Sequence, residues 1–371
     1  MYLRKLNLVN FKNYEQLDIE LSEKINCFVG DNGTGKTNLL DAVYYLSLTK
    51  SYFNTIDTQN IMNGKDFFMI QGEYERDGSK ENIYCGVAKD RRKQFKRNNK
   101  EYQKMSLHVG LVPVVMISPA DSSLILEGSD ERRKFINGVI SQYSIEYLDM
   151  MIRYNHALVQ RNVLLKDFGR AGSFNQEYLD VWDAQLIDAG QFIYEKRIEF
   201  AKEFQPIFQS YYNIISEQQE KVGLVYQSQL NDGDFRKLLE KSLEKDRILQ
   251  YTTVGIHKDD LIMNMGLYPI KRNGSQGQQK SYLVALKFAE FDFIKELNGI
   301  APVLLLDDIF DKFDARRVRQ IISLVSDKHF GQIFITDTSQ ERAVRILEEI
   351  SAEHKVFRVD YGKIEVLNGK N

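Results

Sequence analysis

The sequence predicts an α/β protein: a mostly parallel sheet covered on both faces by helices, with an added antiparallel β layer and an inserted helical arm. Three observations carry that expectation. GDNGTGKT, Gly30 to Thr37, follows the apolar run Ile25, Cys27, Phe28, Val29 and precedes Leu39, Leu40, Val43, Tyr44 and Leu46 at helical spacing, which is the strand, loop and helix setting of a phosphate loop. A second apolar strand, Val303 to Leu306, ends in the carboxylates Asp307 and Asp308. Between these two stretches, from about Ser129 to about Gln219, the sequence turns into long amphipathic helices.

Taken in order, Leu3, Leu6 and Leu8, then Leu17, Ile19 and Leu21, alternate as two short strands joined by the loop Asn10 to Glu15. After the phosphate-loop helix, Phe68 to Arg76 and Asn82 to Ala88 read as a hairpin around Asp77-Gly78. Lys89 to Lys104 carries eight basic residues against two acidic ones, with Phe95 and Tyr102 interleaved and Asn98-Asn99 at the turn. That pattern fits a ribbon facing DNA and fits equally a solvated edge hairpin kept from aggregating by its lysines. Val112 to Ile117 is a buried strand, Pro119 a break, and Ser129-Asp130-Glu131 a helix start. Phe135, Val139, Ile140 and Tyr143, and later Leu186, Ile193 and Ile198, form the apolar faces of the arm, whose tip falls at Gly169 to Ser173. No heptad register persists, so a short arm is expected rather than an extended coiled coil.

Leu224 to Gln229 reads as a strand and Phe235 to Leu249 as a helix, after which Thr252 to Leu261, TTVGIHKDDL, is expected to resume the nucleotide fold. Asn273 to Ser281 opens a helix carrying Leu283, Leu286, Phe288, Ala289 and Phe293. Ala315 to Ser326 and Glu341 to Glu349 read as helices, Gln332 to Thr336 as a strand, and Val356 to Val359 with Ile364 to Leu367 as a closing hairpin. Strands that alternate with helices predict a parallel sheet.

Composition narrows the function classes without choosing among them. With 371 residues, 43% of them hydrophobic, the chain can build a large core and two domains. Fifty basic residues balance fifty-two acidic ones, so nucleic-acid contacts must come from local patches. Cys27 and Cys85 are the only cysteines, which argues against a disulfide framework and for a reduced, cytoplasmic protein. No signal-like core or membrane-spanning apolar run is found.

The chemistry is that of phosphate binding. Gly30, Gly33 and Gly35 let backbone N–H groups converge on a β-phosphate, Lys36 reaches the β- and γ-phosphates, and Thr37 is left to hold Mg²⁺. Asp307, at the C-terminal end of its strand, is placed to hold the metal, and Asp308 to position the attacking water. Ser275 to Gln278, SQGQ, offers a second anion cradle at a helix N-terminus.

GDNGTGKT, SQGQ, the strand ending in Asp307-Asp308 and DKFD at Asp311 to Asp314 stand in the order found in ABC-type ATPases, and NFKNY, Asn10 to Tyr14, resembles an element of the SMC-like branch. More narrowly, ISPADSSLILEGSDERRKFI at Ile117 to Ile136, GIHKDDL and SQGQQ resemble the RecF family. The resemblance implies an ABC-type ATPase domain made of residues 1–120 and 250–371 with a helical arm at 121–249. It also implies ATP and Mg²⁺ as cofactors, bound by Gly30, Asp31, Asn32, Gly33, Thr34, Gly35, Lys36, Thr37 and Asn38, with Lys12 and Asn13 beside them. Asp314 would also bind the nucleotide, and Ser275, Gly277 and Gln278 would act on the ATP of a second copy in an ATP-dependent homodimer. The implied activity is a weak, DNA-stimulated ATPase of recombinational repair and replication that binds double-stranded DNA near single-strand gaps and, with RecR and RecO, promotes RecA loading. Another SMC-like or transporter-type ATPase without a DNA role, or a scaffold that binds nucleotide without hydrolysis, would use the same motifs. The chain departs from the family at Ile256 and Lys258, where proline and arginine are usual, and at Phe53, where arginine is usual. At Lys258 the charge survives but bidentate geometry does not.

Overall fold

The computed structural model describes residues 1–76, 78–216, 220–310, 315–325, 330–350 and 352–370, which fall into two compact units. Asp77 of the expected hairpin turn, Gln219 and Ser326 at expected helix ends, and Asp311 to Asp314 lie outside the described residues.

The first unit comprises 1–121, 214–217 and 280–371. Its centre is a six-stranded sheet in the order 363–370, 354–360, 25–29, 333–337, 303–306, 114–117, parallel except for the hairpin strand at its edge. Ile25–Val29, Val303–Leu306, Ile333–Asp337 and Val114–Ile117 are buried at every position, because helices or strands cover both faces. Phe28 stacks between Phe334 and Phe357 on the neighbouring strands, at centroid distances of 6.3 and 5.1 Å. The second sheet is antiparallel, in the order 14–20, 2–11, 67–76, 79–88, 94–97, 100–101. Leu6 and Leu8 point inward between half-exposed neighbours, as period-two alternation requires. The phosphate-loop helix, Lys36–Leu48, packs against this layer through Tyr45, whose ring meets Phe11 and Phe68 edge-on.

The second unit comprises 122–213 and 218–279. Helices Ser129–Tyr143, Ile145–Ala171 and Gln176–Ser216 build the arm, and the first long helix closes on Gly172 in the left-handed region at φ 61°. The 41 residues of Gln176–Ser216 make a rod of about 60 Å at 1.5 Å per residue, longer than a short arm would need. Thr252 to Leu261 packs inside this unit instead of rejoining the first, and the cause is non-local. Asp260–Met265 pairs antiparallel with Val222–Gln227. Buried Arg197 donates to Asp259 at 3.1 Å and to the Ile256 carbonyl at 2.8 Å, while buried Arg161 bridges Asp183 and Asp246 at 2.6 and 2.7 Å. Cations so enclosed require those partners, because a buried charge left alone is costly. Among the described residues, no helix is long and apolar enough to cross a membrane.

Two histidines, one in each unit, are held in the neutral form, His108 buried and His257 half-buried. His108 bonds the Leu46 carbonyl through Nε2 and Tyr102 Oη through Nδ1; His257 bonds the Thr252 carbonyl and Tyr154 Oη in the same manner. Burial pushes both down to about 4 from an ordinary 6.5. The unfolded chain therefore binds more protons between those values, and the stability each neutral ring contributes is complete above pH 6.5 and lost as pH falls toward 4. Between pH 7 and pH 5 the unfolding free energy of the wild type should drop by about 2 kcal/mol more than that of His108→Gln. Equal drops in urea titrations of the two proteins would contradict a neutral His108.

Candidate nucleotide site

The loop between Val29 and Lys36 is shaped by close approach as much as by turn chemistry. Gly35 adopts φ 113°, and a Cβ there would stand 2.2 Å from Asn13 Nδ2; a Cβ on Gly30 would stand 2.3 Å from the Val359 carbonyl. Only glycine fits either place. Asn13 Nδ2 donates to the Thr34 carbonyl at 2.9 Å, Asn38 Nδ2 donates to Asn13 Oδ1 at 2.7 Å, and the buried Tyr14 hydroxyl donates to the Gly35 carbonyl at 3.0 Å. The loop is thus held from the Asn10 to Tyr14 side, which places Asn13 at the loop and shows what Tyr14 does. Asp31, Asn32 and Gly33 remain exposed on its rim.

Lys36 is 4% exposed and turns its ammonium back onto the Gly30 and Asp31 carbonyls at 2.8 and 3.0 Å, at the centre of the loop. The helix begins at Lys36; Asn38 and Leu39 donate to the Gly35 carbonyl at 3.0 and 3.3 Å, which leaves the N–H groups of Lys36 and Thr37 for an anion, and the dipole adds positive potential where they point. Thr37 Oγ1 lies 2.9 and 3.1 Å from the two Asp307 oxygens. Thr336 Oγ1 donates to Asp307 Oδ1 at 2.9 Å and accepts from the Asp308 N–H at 2.9 Å. Three segments therefore meet at one carboxylate: the start of the helix and the C-terminal ends of two neighbouring parallel strands. Burial raises the Asp307 carboxyl above its ordinary value, the two threonine hydroxyls pull it back, and the Asp308 charge raises it further. A hydroxyl and a carboxylate converging in an oxygen-only cluster fit Mg²⁺, whose charge would reverse the cost of burying that carboxylate. Asp308 holds φ 46°, a left-handed conformation that aspartate tolerates better than most residues.

Lys12 stands apart from the loop carbonyls. It pairs with the fully buried Asp41 at 2.5 Å and lies over the rings of Phe11 and Phe53, while Asp41 also accepts from Ser51 Oγ and the Tyr52 N–H, each at 2.7 Å. Phe53 thus contributes a ring beneath a lysine ammonium. Ser275, Gly277 and Gln278 belong to the second unit. Ser275 Oγ accepts from the Gln278 N–H at 3.2 Å and Gln278 Oε1 accepts from the Ser275 N–H at 2.8 Å, a reciprocal capping box at the start of helix Gln276–Asn298. The S-x-x-Q spacing was a signal for that pairing. Asp314 lies outside the described residues. Sequence reasoning placed Thr336 at a strand end and did not bring it to Asp307, a contact that only the neighbouring strand makes.

Comparison with known proteins adds kinship to the geometry. Residues 2–363 match the family described as the RecF/RecN/SMC N terminal domain. A DNA replication and repair protein RecF of Phocaeicola vulgatus is 53% identical over 366 residues, 98% of each chain, and one of Bacteroides fragilis is 53% identical over 371 residues, 100% of each. A solved structure of the recombination mediator protein RecF with ATP, of the RecFOR pathway, superposes with TM-score 0.89 at 27% identity over 99% of this chain and 98% of that one. The Smc head domain of Pyrococcus furiosus, at 16% identity and TM-score 0.56 over 99% and 96% of the chains, shares the fold.

If Lys36 and Asp308 have the roles their positions suggest, their substitutions separate binding from turnover. Lys36→Ala should abolish nucleotide binding, whereas Asp308→Asn should bind ATP within about threefold of wild type and hydrolyse it at least tenfold more slowly, as loss of a general base does. Fluorescent-nucleotide titration and phosphate release measure the two effects. Loss of Mg-ATP binding in Asp308→Asn would exchange the roles of the two aspartates.

Proposed function

Because this chain belongs to the RecF/RecN/SMC N-terminal domain family, and within it to the RecF family through relatives at about half identity over full length, we propose that it is an ATP-binding, ATP-hydrolysing DNA repair and replication protein. The observation that carries this reading is the convergence of Thr37 and Asp307 beside a loop whose Lys36 sits at its centre. On this reading Lys36 meets the β- and γ-phosphates, Thr37 and Asp307 hold Mg²⁺, and Asp308 orients the attacking water. Bound Mg²⁺ would neutralise charge developing on the phosphates. Asn13 and Asn38 hold the loop in shape, and Lys12, paired with Asp41 on the flank of the helix, has no assigned contact with the phosphates.

Ser275, Gly277 and Gln278 complete the site of a second copy, so that two ATP molecules are sandwiched in a two-fold dimer. The capping box supports this assignment: it keeps the first turn in register and leaves the earliest helical N–H groups for a γ-phosphate. ADP lacks that phosphate, so hydrolysis loosens the dimer. The pathway named for the solved relative supports partners of the RecR and RecO kind; a role in RecA loading at single-strand gaps is the further step of this reading.

DNA contact is assigned to the basic hairpin, with fewer residues than its composition offers. Lys89 is paired with Asp66, Arg97 with Glu81 and Lys93 with Asp57. Arg91, Arg92, Lys100 and Lys104 are exposed and stand ready for phosphates. Binding to gapped duplex DNA should raise ATP turnover, and replacing those four residues with glutamine should lower the salt dependence of DNA affinity by about 4 in log–log slope. Unchanged affinity and slope in the variant would make the hairpin a solvated edge, and turnover indifferent to DNA would remove DNA from the ATPase cycle.

A further inference from the structure

The segment 89–108 does more than present charge, because two of its side chains hold the far end of the phosphate-loop helix. Lys36–Leu48 has no basic residue in its last turn, and Leu46, Ser47 and Leu48 are buried, so its C-terminal carbonyls meet neither water nor a cation of their own helix. Such carbonyls need partners. Lys93 Nζ donates to the Thr49 carbonyl at 2.7 Å, is held by Asp57 at 2.8 Å and lies 5.4 Å from the Tyr45 ring centroid. His108 Nε2 stands 2.7 Å from the Leu46 carbonyl, which makes that nitrogen the N–H donor and leaves Nδ1 to accept from Tyr102 Oη at 3.0 Å. Phe95, Tyr102 and His108 pack as one ring cluster, with centroids 4.6 to 6.3 Å apart.

These clamp residues alternate along the chain with the exposed cations. Arg91 and Arg92 immediately precede Lys93, while Lys100 and Lys104 flank Tyr102 by two residues on either side. A polyanion gripping those four cations therefore pulls on the same short segments that hold the helix end. The helix is a rod of 13 residues, about 20 Å long, and its other end is Lys36 and Thr37. A shift at one end cannot be absorbed within it without breaking its hydrogen bonds. We propose that Lys93 and His108 are positioning residues that transmit DNA contact at the 89–108 hairpin through the Lys36–Leu48 helix to the phosphate loop. This rests on the DNA-stimulated reading above.

The test is the ratio of ATP turnover with saturating gapped DNA to turnover without it, in the full chain. Lys93→Met removes the donor and keeps length; Lys93→Arg keeps a cation of similar reach. Basal turnover and the KM for ATP should stay within twofold of wild type in both. The DNA-stimulation ratio should fall at least threefold in Lys93→Met and recover most of the way in Lys93→Arg. Tyr102→Phe, which removes one hydroxyl from the His108 pair and leaves the ring cluster intact, should also lower the ratio, and it decides the matter if Lys93→Met does not fold. A wild type stimulated by DNA together with variants stimulated equally would overturn the transmission while leaving the DNA reading in place. A wild type that DNA does not stimulate would overturn both.

Discussion

The arrangement depends on one carboxylate being buried where three chain segments end. Asp307 is 4% exposed, and a charge at that apolar strand end is supported by the hydroxyls of Thr37 and Thr336 and by the Lys36 ammonium. Those hydroxyls arrive only because the strand order sets Ile25–Val29 beside Ile333–Asp337 and the latter beside Val303–Leu306, all running the same way. Crevices at the C-terminal ends of parallel strands are where such sheets bind ligands. The glycine loop then has a fixed place to curl, and Asn13 and Tyr14 hold it from the antiparallel layer. The two sheets of the first unit thus meet functionally at the loop: one supplies the acid, the other the brace.

The helix that leaves the loop is braced at both ends by different devices. Its start is tied through Lys36 to the Gly30 and Asp31 carbonyls, and its end through Lys93 and His108 to the basic hairpin. On its flank, Asp41 gathers Lys12, Ser51 and the Tyr52 N–H. A helix so restrained can change position only if one of those groups changes partner. That property makes it suited to report nucleotide and DNA to one another, because coupling requires an element with discrete positions that both ligands bias.

What could be read from the sequence was what local spacing encodes. The phosphate loop, the apolar strand ending in Asp307-Asp308 and helix Phe235–Leu249 follow from motif and periodicity, since neighbours in sequence decide them. Thr252 to Leu261 was misplaced because its partners, Val222–Gln227 and Arg197, lie tens of residues away and leave no periodic trace. The basic hairpin showed its charge but not that Lys89, Lys93 and Arg97 are spent on Asp66, Asp57 and Glu81. The contact of Thr336 with Asp307 could not be read for a similar reason: a threonine at a strand end shows no partner until the neighbouring strand brings Asp307 to it.

The central claim is that Thr37 and Asp307 hold a metal on ATP and that the site is completed by a second copy. A crystal structure grown with Mg²⁺ and a non-hydrolysable ATP analogue tests it most directly. The account predicts Mg²⁺ bonded to Thr37 Oγ1, with Asp307 bonded to it directly or through a water, and a γ-phosphate within hydrogen-bonding distance of the partner subunit's Ser275. A metal bound elsewhere, with Thr37 still hydrogen-bonded to Asp307, or a γ-phosphate facing solvent in a monomer, would contradict it.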